Sequence, residues 1–475
     1  VAPAGDLDGD GVADLVVGAP GDDDGGTDRG AAYLLFLNAT GTVRSEVKLS
    51  ALTAALAGRF DDGDRFGSAV GCAGDLNGDG VADLLVGAPG DDDGGTDRGA
   101  VHVLFMHRDG TVASVVKVSA TAGGFTGPLA NGDGFGSAVT GLGDVDGDGV
   151  GDVAVGAPGA DGDGTDRGAV FVLRLTGAGA VAGEQKIAAS VGGLGAVLAD
   201  DDRFGTAVTG LGDLDGDGFA DLAVGVPGSD EGGADRGSLW VLHLGKTGAA
   251  LAAQQLSDST GGLAATLVDG DGFGSALAGG GDIDDDGVVD LVVGAPGDDD
   301  GGTDRGALYV LMLATDGTVV DEQKVSDSVG GLTATLHDGD GFGSAVAGVG
   351  DLDGDSTIGL AVGAPGDDDR PVGVGTGDDR GAVWVLDLGL YNTAPVLGSP
   401  ATPFTMTAVD EDDTTNDGDT VATILASRGG DPITDAEGDP DGIMVTGHAD
   451  SAGWFEFSTD DGVSWSPVKI GRAHV

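Results

Sequence analysis

An acidic segment recurs six times along the chain at a constant distance. In its first copy, residues 6–14 read DLDGDGVAD and lead straight into the apolar run 15–17. The six copies begin, with a period of 69 residues and no insertion, at Asp6, Asp75, Asp144, Asp213, Asp282 and Asp351. A period that is both long and strict predicts one supersecondary unit copied in tandem, so the fold depends on how such units stack.

Each copy carries the pattern of four short β-strands. In the third copy we expect strand one at 135–139, strand two at 153–155 after the acidic loop, strand three at 168–175 and strand four at 184–187. Short strands separated by turn signals at intervals of roughly 8 to 12 residues are typical of all-β proteins. Four antiparallel strands per repeat predict a β-propeller in which every repeat is one blade.

The chain is strongly acidic, with 21 Lys and Arg against 81 Asp and Glu and a net charge of -60. Nucleic acids bind to basic surfaces, so they are excluded as a partner class. A halophilic or marine protein and a calcium-binding protein both suit such a charge; we favour calcium because the acids cluster by motif, and both explanations can hold. No apolar run approaches the roughly 20 residues of a membrane span, which predicts no membrane insertion. Cys72 is the single cysteine, and we expect it to be a buried small apolar residue.

The acidic loops have the composition of calcium sites. Carboxylates at loop positions 1, 3, 5 and 9 and a backbone carbonyl at position 7 offer a cation only oxygen atoms, which suits calcium and not zinc. One copy alone is also compatible with a solvated acidic turn, but five matching copies favour calcium. The expected ligands are Asp6, Asp8, Asp10, Val12 and Asp14; Asp75, Asn77, Asp79, Val81 and Asp83; Asp144, Asp146, Asp148, Val150 and Asp152; Asp213, Asp215, Asp217, Phe219 and Asp221; and Asp282, Asp284, Asp286, Val288 and Asp290.

The sixth loop departs from this pattern. Asp351, Asp353 and Asp355 are present, but Ser356 replaces the turn glycine and Gly359 replaces the last Asp. This loop is predicted to bind calcium weakly or to stay empty. The chain is therefore expected to hold about five calcium ions, one for each complete loop.

A second acidic segment lies between strands two and three of each repeat. Its first copy, 22–29, reads DDDGGTDR, and every copy ends in Asp-Arg followed by Gly. In a propeller blade this loop projects from the face opposite the acidic hairpins. Two interpretations remain open: a repeated Asp–Arg pair that holds the loop, or an additional cation site or acidic ligand face. An insertion in the sixth copy, 370–378, is the predicted contact loop.

Phe-Gly, the acidic loop and a Gly-Ala-Pro motif recur in that order. Phe-Gly occurs at 66–67, 135–136, 204–205, 273–274 and 342–343. The order resembles the FG-GAP repeat of the integrin α-subunit propeller and its bacterial relatives over residues 1–388. The resemblance implies a calcium-loaded propeller whose loop-rich face meets partners. Because the integrin-type ring has seven blades, we expect a seventh unit upstream of Val1 and a ring that six units leave open.

Two further patterns concern packing between blades. The small residues before each motif proline should let neighbouring sheets approach closely. Strand three carries an aromatic or histidine side chain at the same position in every repeat. We expect these side chains to pack between neighbouring blades, with stacking on a ligand as the alternative. These rings belong to Tyr33, His102, Phe171, Trp240, Tyr309 and Trp384.

Strict periodicity ends near residue 388, and the remaining residues are predicted to form a separate module. This part of the chain resembles bacterial Ig-like or cadherin-like β-sandwich modules. Segment 435–439 suits either a further calcium site or a plain turn, and 458–465 resembles the Asp-box hairpin of sialidase-like propellers, which we interpret as structural only. The expected divisions are a propeller at 1–388, a linker at 389–398, an incomplete β-sandwich at 399–468 and a sequencing-adapter artefact at 469–475.

The sequence contains no catalytic constellation. The six His are scattered and the clustered acids belong to the metal loops, so we expect a protein that is not an enzyme. The leading hypothesis is an extracellular calcium-binding propeller that acts as the adhesion or binding module of a larger secreted or cell-surface bacterial protein, with an unknown protein or glycan ligand. The alternative is a non-catalytic accessory propeller of a secreted phospholipase or polysaccharide-degrading hydrolase. A passive, calcium-stiffened spacer is the third interpretation.

Overall fold

The structure is a computed structural model that divides into two compact units, Val1–Leu390 and Tyr391–Val475. It describes residues 1–350 except 163, 285, 333 and 334, together with 358–367, 381–388, 396–397, 433–434, 456–457 and 466–467. In the second unit, strand Val396–Leu397 pairs with Ile433–Thr434, and Glu456–Phe457 pairs with Ser466–Pro467. The expectations for the insertion 370–378, for 435–439, for 458–465 and for 469–475 lie outside the described residues, as do most residues of the predicted linker and β-sandwich.

The first unit consists of six antiparallel sheets, one per repeat. Blade one contains Ala2–Gly5, Asp14–Ala19, Ala31–Leu37 and Val43–Ser50; blade two contains Ala69–Gly74, Asp83–Ala88, Ala100–Met106 and Val112–Ser119; blade three contains Ala138–Gly143, Asp152–Ala157, Ala169–Leu175 and Val181–Ile187. Blade four contains Val208–Gly212, Asp221–Val226, Ser238–Leu244 and Ala250–Leu256; blade five contains Ala276–Gly281, Asp290–Ala295, Ala307–Leu313 and Val319–Ser326; blade six contains Ala345–Gly350, Ile358–Ala364 and Ala382–Leu388.

Within each blade, strands that follow one another in sequence are neighbours in the sheet. Every neighbouring pair is antiparallel, and the described residues contain no helix. Consequently, nothing in the described part of the chain could cross a membrane as a long apolar helix. The all-β propeller of four-stranded antiparallel blades predicted from the sequence is confirmed.

The observed strands differ from the predicted ones at their ends. In blade three, strand one is Ala138–Gly143 instead of 135–139, and strand four begins at Val181 instead of 184. Phe135 lies before the sheet and forms an isolated parallel bridge with Gly99 of blade two. The physical reason is that this Phe docks one blade against the preceding one. The same bridge joins Gly30 to Phe66, Gly168 to Phe204, Gly237 to Phe273 and Gly306 to Phe342.

Phe-Gly and Gly-Ala-Pro meet at the junction between blades. Within blade three, the N–H of Gly136 donates to the Gly156 carbonyl at 3.0 Å. Gly87 of blade two lies so close to the Gly136 carbonyl that a Cβ at position 87 would collide with it. Gly136 also has φ +94°, a conformation that side chains disfavour. The close approach expected of the small residues is therefore observed.

Aromatic rings fill the apolar layers between neighbouring blades. The Phe side chain of every described Phe-Gly is fully buried. Three of these rings contact the strand-three ring of their own repeat edge-on, in clusters that two blades share. The ring centroids are separated by 5.5 Å for Phe66 and His102, 5.6 Å for Phe135 and Phe171, and 5.3 Å for Phe273 and Tyr309. The stripe therefore packs between blades, as expected.

Six blades complete the ring. Leu15 and Leu37 of blade one pack with Ala347 and Val349 of blade six in one buried cluster. Strand one of every blade lines a central channel of about 360 Å³. The seventh blade expected from the integrin resemblance does not form part of this ring, because blade one packs directly on blade six. Cys72, predicted to be buried, is half-buried on the channel wall.

Candidate metal centre

The acidic loops connect strands one and two, where a glycine bulge opens the hairpin. In blade three, Gly143 has φ +70° and pairs with Asp152, after which the register shifts. Glycine in the left-handed region is typical of such a bulge. The corresponding loops, 6–14, 75–83, 144–152, 213–221 and 282–290, project from one face of the propeller, which we call the hairpin face.

The first Asp of each loop organises the turn. In blade three, Asp144 Oδ1 accepts hydrogen bonds from the N–H groups of Gly147 at 2.7 Å and Asp148 at 3.0 Å. Its Oδ2 accepts the N–H of Gly149 at 2.7 Å. The bond from Gly149, followed by the other two, holds the pKa of Asp144 below its ordinary value. This carboxylate is therefore charged and fixed in place before any ion binds.

The acids at loop positions three and five each keep one oxygen free for a cation. Asp146 Oδ1 accepts the N–H of Asp148 at 3.2 Å, and Asp148 Oδ1 accepts the N–H of Val150 at 2.8 Å. Their Oδ2 atoms accept no hydrogen bond from a described residue. Oxygens of Asp144, Asp146 and Asp152 lie within 4.8 Å of one another, close enough for one calcium ion to contact all three.

The last Asp of the loop also belongs to the sheet. Asp152 is 1% exposed; its Oδ2 accepts the N–H of Val145 at 3.0 Å and its Oδ1 accepts the N–H of Leu175 at 2.9 Å. Burial raises the pKa of Asp152 to about 6, although the two amides act in the opposite direction. From the sequence we assigned this residue only to the metal and missed its role in joining the loop to strand three. The same two hydrogen bonds recur at Asp14, Asp83, Asp221 and Asp290.

Carboxylates gather closely in four of the five predicted loops. The groups are Asp6, Asp8 and Asp10; Asp144, Asp146 and Asp152; Asp213, Asp215 and Asp217; and Asp282, Asp284 and Asp290. In loop two the third position is an amide, and Asn77 Oδ1 accepts the N–H of Asp79 at 2.8 Å. In each of these five loops the backbone N–H at position seven donates to the Asp at position five. The donors are Val12, Val81, Val150, Phe219 and Val288.

Loop five contains a buried oxygen that has no hydrogen-bond partner among the described residues. Asp282 Oδ1 accepts no hydrogen bond from a described residue, whereas its Oδ2 accepts the N–H of Gly287 at 2.9 Å. A buried and unsatisfied polar atom costs about 1–3 kcal/mol, and more if it is charged. A cation held by Asp282, Asp284 and Asp290 would satisfy this oxygen, and their all-oxygen donor set fits calcium.

Two hairpins contain a basic group supplied by the protein itself. In blade one, Arg44 on strand four pairs with Asp8, and with Asp10 at 2.6 Å. In blade four, His243 Nδ1 on strand three lies 3.2 Å from Asp221 Oδ2. Neither group was predicted from the sequence. The sequence did contain a signal for Arg44, because the equivalent position is uncharged in the next four repeats. The residues there are Ala113, Ala182, Leu251 and Val320.

Only the last two positions of the sixth loop, Ile358 and Gly359, are described. Gly359 lies opposite Gly350, in the register that Asp152 has in blade three, so no side-chain oxygen is available there. The other predicted residues of this loop, Asp351, Asp353 and Asp355, lie outside the described residues. The weak or empty sixth site stays a prediction.

A family model described as FG-GAP repeat matches five segments, 1–35, 66–104, 135–173, 204–242 and 273–311. The last four run from Phe-Gly through the acidic hairpin into strand three. Five of the six blades therefore contain an FG-GAP repeat. The resemblance based on Phe-Gly, the acidic loops and Gly-Ala-Pro is confirmed.

Known proteins with similar segments include an integrin and a phospholipase. Human integrin alpha-X is 41% identical over 97 residues, which are 20% of this chain and 8% of the integrin. Bovine phosphatidylinositol-glycan-specific phospholipase D is 40% identical over 116 residues, 24% of this chain and 14% of that enzyme. Among solved structures, BBS1N in complex with ARL6DN has a TM-score of 0.38 and 13% identity over 83% of each chain. The FG-GAP assignment rests on the repeat motifs, because the matches cover only a small part of the curated relatives.

The FG-GAP repeats carry their second set of acids on the opposite end, which we call the loop face and define by residues 22–29 and their equivalents. The interpretation of Asp-Arg as a pair within this loop is wrong. Arg29 Nε donates to Asp62 Oδ1 at 2.8 Å, 33 residues further along the chain. The arginine thus ties its loop to the segment that enters the next blade. Equivalent ties join Arg98 to Asn131, Arg167 to Asp200, Arg236 to Asp269 and Arg305 to Asp338.

Strand-four lysines neutralise further acids of the loop face. In blade five, Lys324 Nζ lies 2.6 Å from Asp298, 2.7 Å from Asp300 and 5.4 Å from the ring centre of Tyr309. Burial would lower the pKa of Lys324, but the two carboxylates raise it above its ordinary value. Lys48 of blade one and Lys117 of blade two likewise bridge two Asp side chains. In blades one, two and five, two acids of each loop-face segment therefore have a lysine counter-ion within the protein.

Proposed function

We propose that this chain is an extracellular, calcium-binding FG-GAP propeller that serves as the adhesion or binding module of a larger secreted or cell-surface protein, of bacterial origin as the repeats suggest. The single observation that carries the calcium part is the state of the hairpin carboxylates. They are held in place by backbone amides, yet they retain oxygens that accept no hydrogen bond from a described residue, as the buried Asp282 Oδ1 does in loop five. An external cation completes such sites.

The proposed role of calcium is structural. Each ion would join the loop to the two strands that flank it, and Asp152 and its equivalents would transmit that constraint to strand three. Binding to the folded state only adds about 2.7 kcal/mol per site when free calcium is 100-fold above Kd. We therefore expect calcium to raise the melting temperature strongly and magnesium to raise it less, because magnesium demands a more regular geometry.

Thermal unfolding in calcium, in magnesium and in chelator tests this part of the proposal. The matched variants are Asp146→Asn with Asp148→Asn on the hairpin face, and Asp200→Asn on the loop face. The double variant on the hairpin face should reduce the calcium-dependent rise in melting temperature by about the contribution of one site. The loop-face variant should leave that rise unchanged. An identical melting temperature in calcium and chelator would overturn the calcium site.

The binding role draws support from the integrin relative and from the large acidic loops of the loop face. A protein or glycan partner is expected, with no role for nucleic acid because the net charge is -60. Calcium-loaded protein applied to glycan arrays and to immobilised extracellular-matrix proteins should bind saturably to one class. Saturable binding to neither class would favour the passive spacer instead.

The second candidate function is an accessory propeller that positions the catalytic domain of a secreted hydrolase. The observation that favours it is the similarity to phosphatidylinositol-glycan-specific phospholipase D. The propeller itself is proposed to be non-catalytic in either case. Sequencing of the complete gene distinguishes the two: a hydrolase domain in the same reading frame supports the accessory role, and further β-sandwich modules with an anchor support adhesion.

A further inference from the structure

Blade four lacks the strand-four lysine that blades one, two, three and five carry toward the loop face. Lys48, Lys117, Lys186 and Lys324 occupy one position on strand four, and blade four has Gln255 there. In blade five the lysine extends over the Tyr309 ring and places its ammonium group between two Asp carboxylates. In blade four a cavity of about 210 Å³ opens at the corresponding place. We call it the blade-four pocket, and define it by Asp202, Ser229, Glu231, Trp240 and Gln255.

The pocket retains the groups that surround an ammonium ion elsewhere. Trp240 replaces Tyr309 as the aromatic wall, and Glu231 replaces Asp300 as one acid. Asp202 is 7% exposed and accepts the N–H of Ala199 at 2.6 Å. An indole face is the most favourable aromatic surface for a cation.

The pocket differs from its counterpart in blade five at one further position. Ser229, which is 4% exposed, stands in the position of Asp298, so a hydroxyl replaces one carboxylate. The indole Nε1 of Trp240 is buried and makes no hydrogen bond to a described residue. Because an indole N–H only donates, an ammonium group would not satisfy it, and the attraction for a cation comes from the face of the ring and from the acids.

The pocket is also uncompensated in charge. Asp202 is faced by Asp230 and Glu231, whereas the basic group that acts on it, Arg167, is already paired with Asp200 at 2.8 Å. In blades two and five the equivalent Asp is faced by the strand-four lysine. A cation from outside the chain would restore the balance that the other blades achieve internally.

We propose that the blade-four pocket binds an alkylammonium group, which lies on the indole of Trp240 and is held by the carboxylates of Glu231 and Asp202. A lysine side chain of a partner protein and a free alkylamine both present this group. Because the pocket contains none of the hairpin carboxylates, the inference is independent of calcium binding.

Calorimetric titration of the full chain with n-butylamine and with Nα-acetyl-lysine N-methylamide tests the proposal, with Nε-acetylated lysine amide as the neutral control. Saturable binding of the two amines, and none of the neutral control, is the expected result. Tighter binding of the lysine amide identifies a protein lysine as the source; equal binding shows that the alkylammonium group alone is recognised. Absence of binding by both amines overturns the proposal.

Gln255→Lys supplies the pocket with its own ammonium group and should weaken amine binding by at least about tenfold. Gln254→Lys adds the same charge one residue away on the other side of the strand and should leave binding unchanged. Glu231→Gln removes one carboxylate and should also weaken binding, which provides a second test if Gln255→Lys fails to fold. Wild-type affinity in both Gln255→Lys and Glu231→Gln overturns the assignment to this pocket.

Discussion

The two faces of the propeller carry similar acidic sequences but opposite electrostatic arrangements. On the hairpin face, backbone amides fix the carboxylates, and Asp146 and Asp148 keep oxygens free. On the loop face, Lys324 contacts both Asp298 and Asp300. The number of acids in a loop therefore does not identify a metal site. The two faces differ in whether the protein supplies the counter-ion, and Arg44 of blade one is an exception on the hairpin face.

The largest effect is expected from the acid that serves both the loop and the sheet. Asp152→Ala leaves the buried N–H groups of Val145 and Leu175 without acceptors, so we expect it to lower the free energy of unfolding by about 3 kcal/mol even in chelator. Asp148→Ala removes an exposed carboxylate and should be destabilising only in calcium. Denaturant unfolding of both variants with and without chelator measures this. Equal losses in chelator would show that Asp152 has no structural role of its own.

On the loop face, removal of a counter-ion should be costly and independent of calcium. Lys324→Met leaves Asp298, which is 2% exposed, beside Asp300 without an ammonium group. We expect a loss of about 2 kcal/mol in unfolding free energy, the same in calcium and chelator. Lys246→Met, at an exposed position beside loop three, is the control in chelator and should have little effect there. A loss that appears only in chelator would contradict the distinction between the faces.

A gain in stability, smaller than the losses above, is expected from a substitution at His102. Neither ring nitrogen of His102 makes a hydrogen bond of standard geometry to a described residue, and burial lowers its pKa to about 3. In blade five the equivalent Tyr309 donates its hydroxyl to Asp298 at 3.2 Å. His102→Tyr should therefore stabilise the protein by about 1 kcal/mol through the same bond to Asp91. His102→Phe separates ring packing from the hydroxyl; a Tyr variant no more stable than the Phe variant would exclude the bond.

Arg44, the basic residue on the hairpin face, allows the most specific test, with the smallest expected effect. Arg44 pairs with Asp8 and Asp10 of loop one, so a calcium ion that binds there would have to displace it. Arg44→Gln should raise the calcium affinity of loop one by about fivefold, because one competing charge is removed. Calcium titration of this variant, with Arg59→Gln as control, measures the change. An unchanged titration would mean that Arg44 does not compete with the ion.

The spacing of motifs was sufficient to predict the blades and to place the acidic loops on hairpins. A period of 69 residues fixes the register of every glycine and acid, and the strand-two apolar runs are typical of buried strands. The boundaries of strand one were missed because Phe135 serves blade docking instead of the sheet. The number of blades was also missed, because closure depends on contacts between Leu15 and Ala347 that no repeat contains by itself.

The candidate site was predictable in composition but not in electrostatics. Loop spacing identifies Asp144, Asp146 and Asp148, whereas the partner of a charged side chain depends on the fold. Arg29 was matched to its neighbour in sequence, yet it pairs with Asp62. A signal existed, since a polar residue follows each motif Arg at 33 residues in the first five repeats. The lysine missing at Gln255 likewise becomes meaningful only when the blades are compared in space.

Calcium binding at the hairpin face is tested most directly by the number of ions that the folded chain binds, measured by calorimetric titration of metal-free wild type and of the Asp146→Asn, Asp148→Asn double variant. We predict about five ions for wild type and about one fewer for the variant, with the loop-face variant Lys324→Met binding as many as wild type. No bound calcium, or a count that falls with the loop-face change and not with the hairpin change, would contradict this assignment.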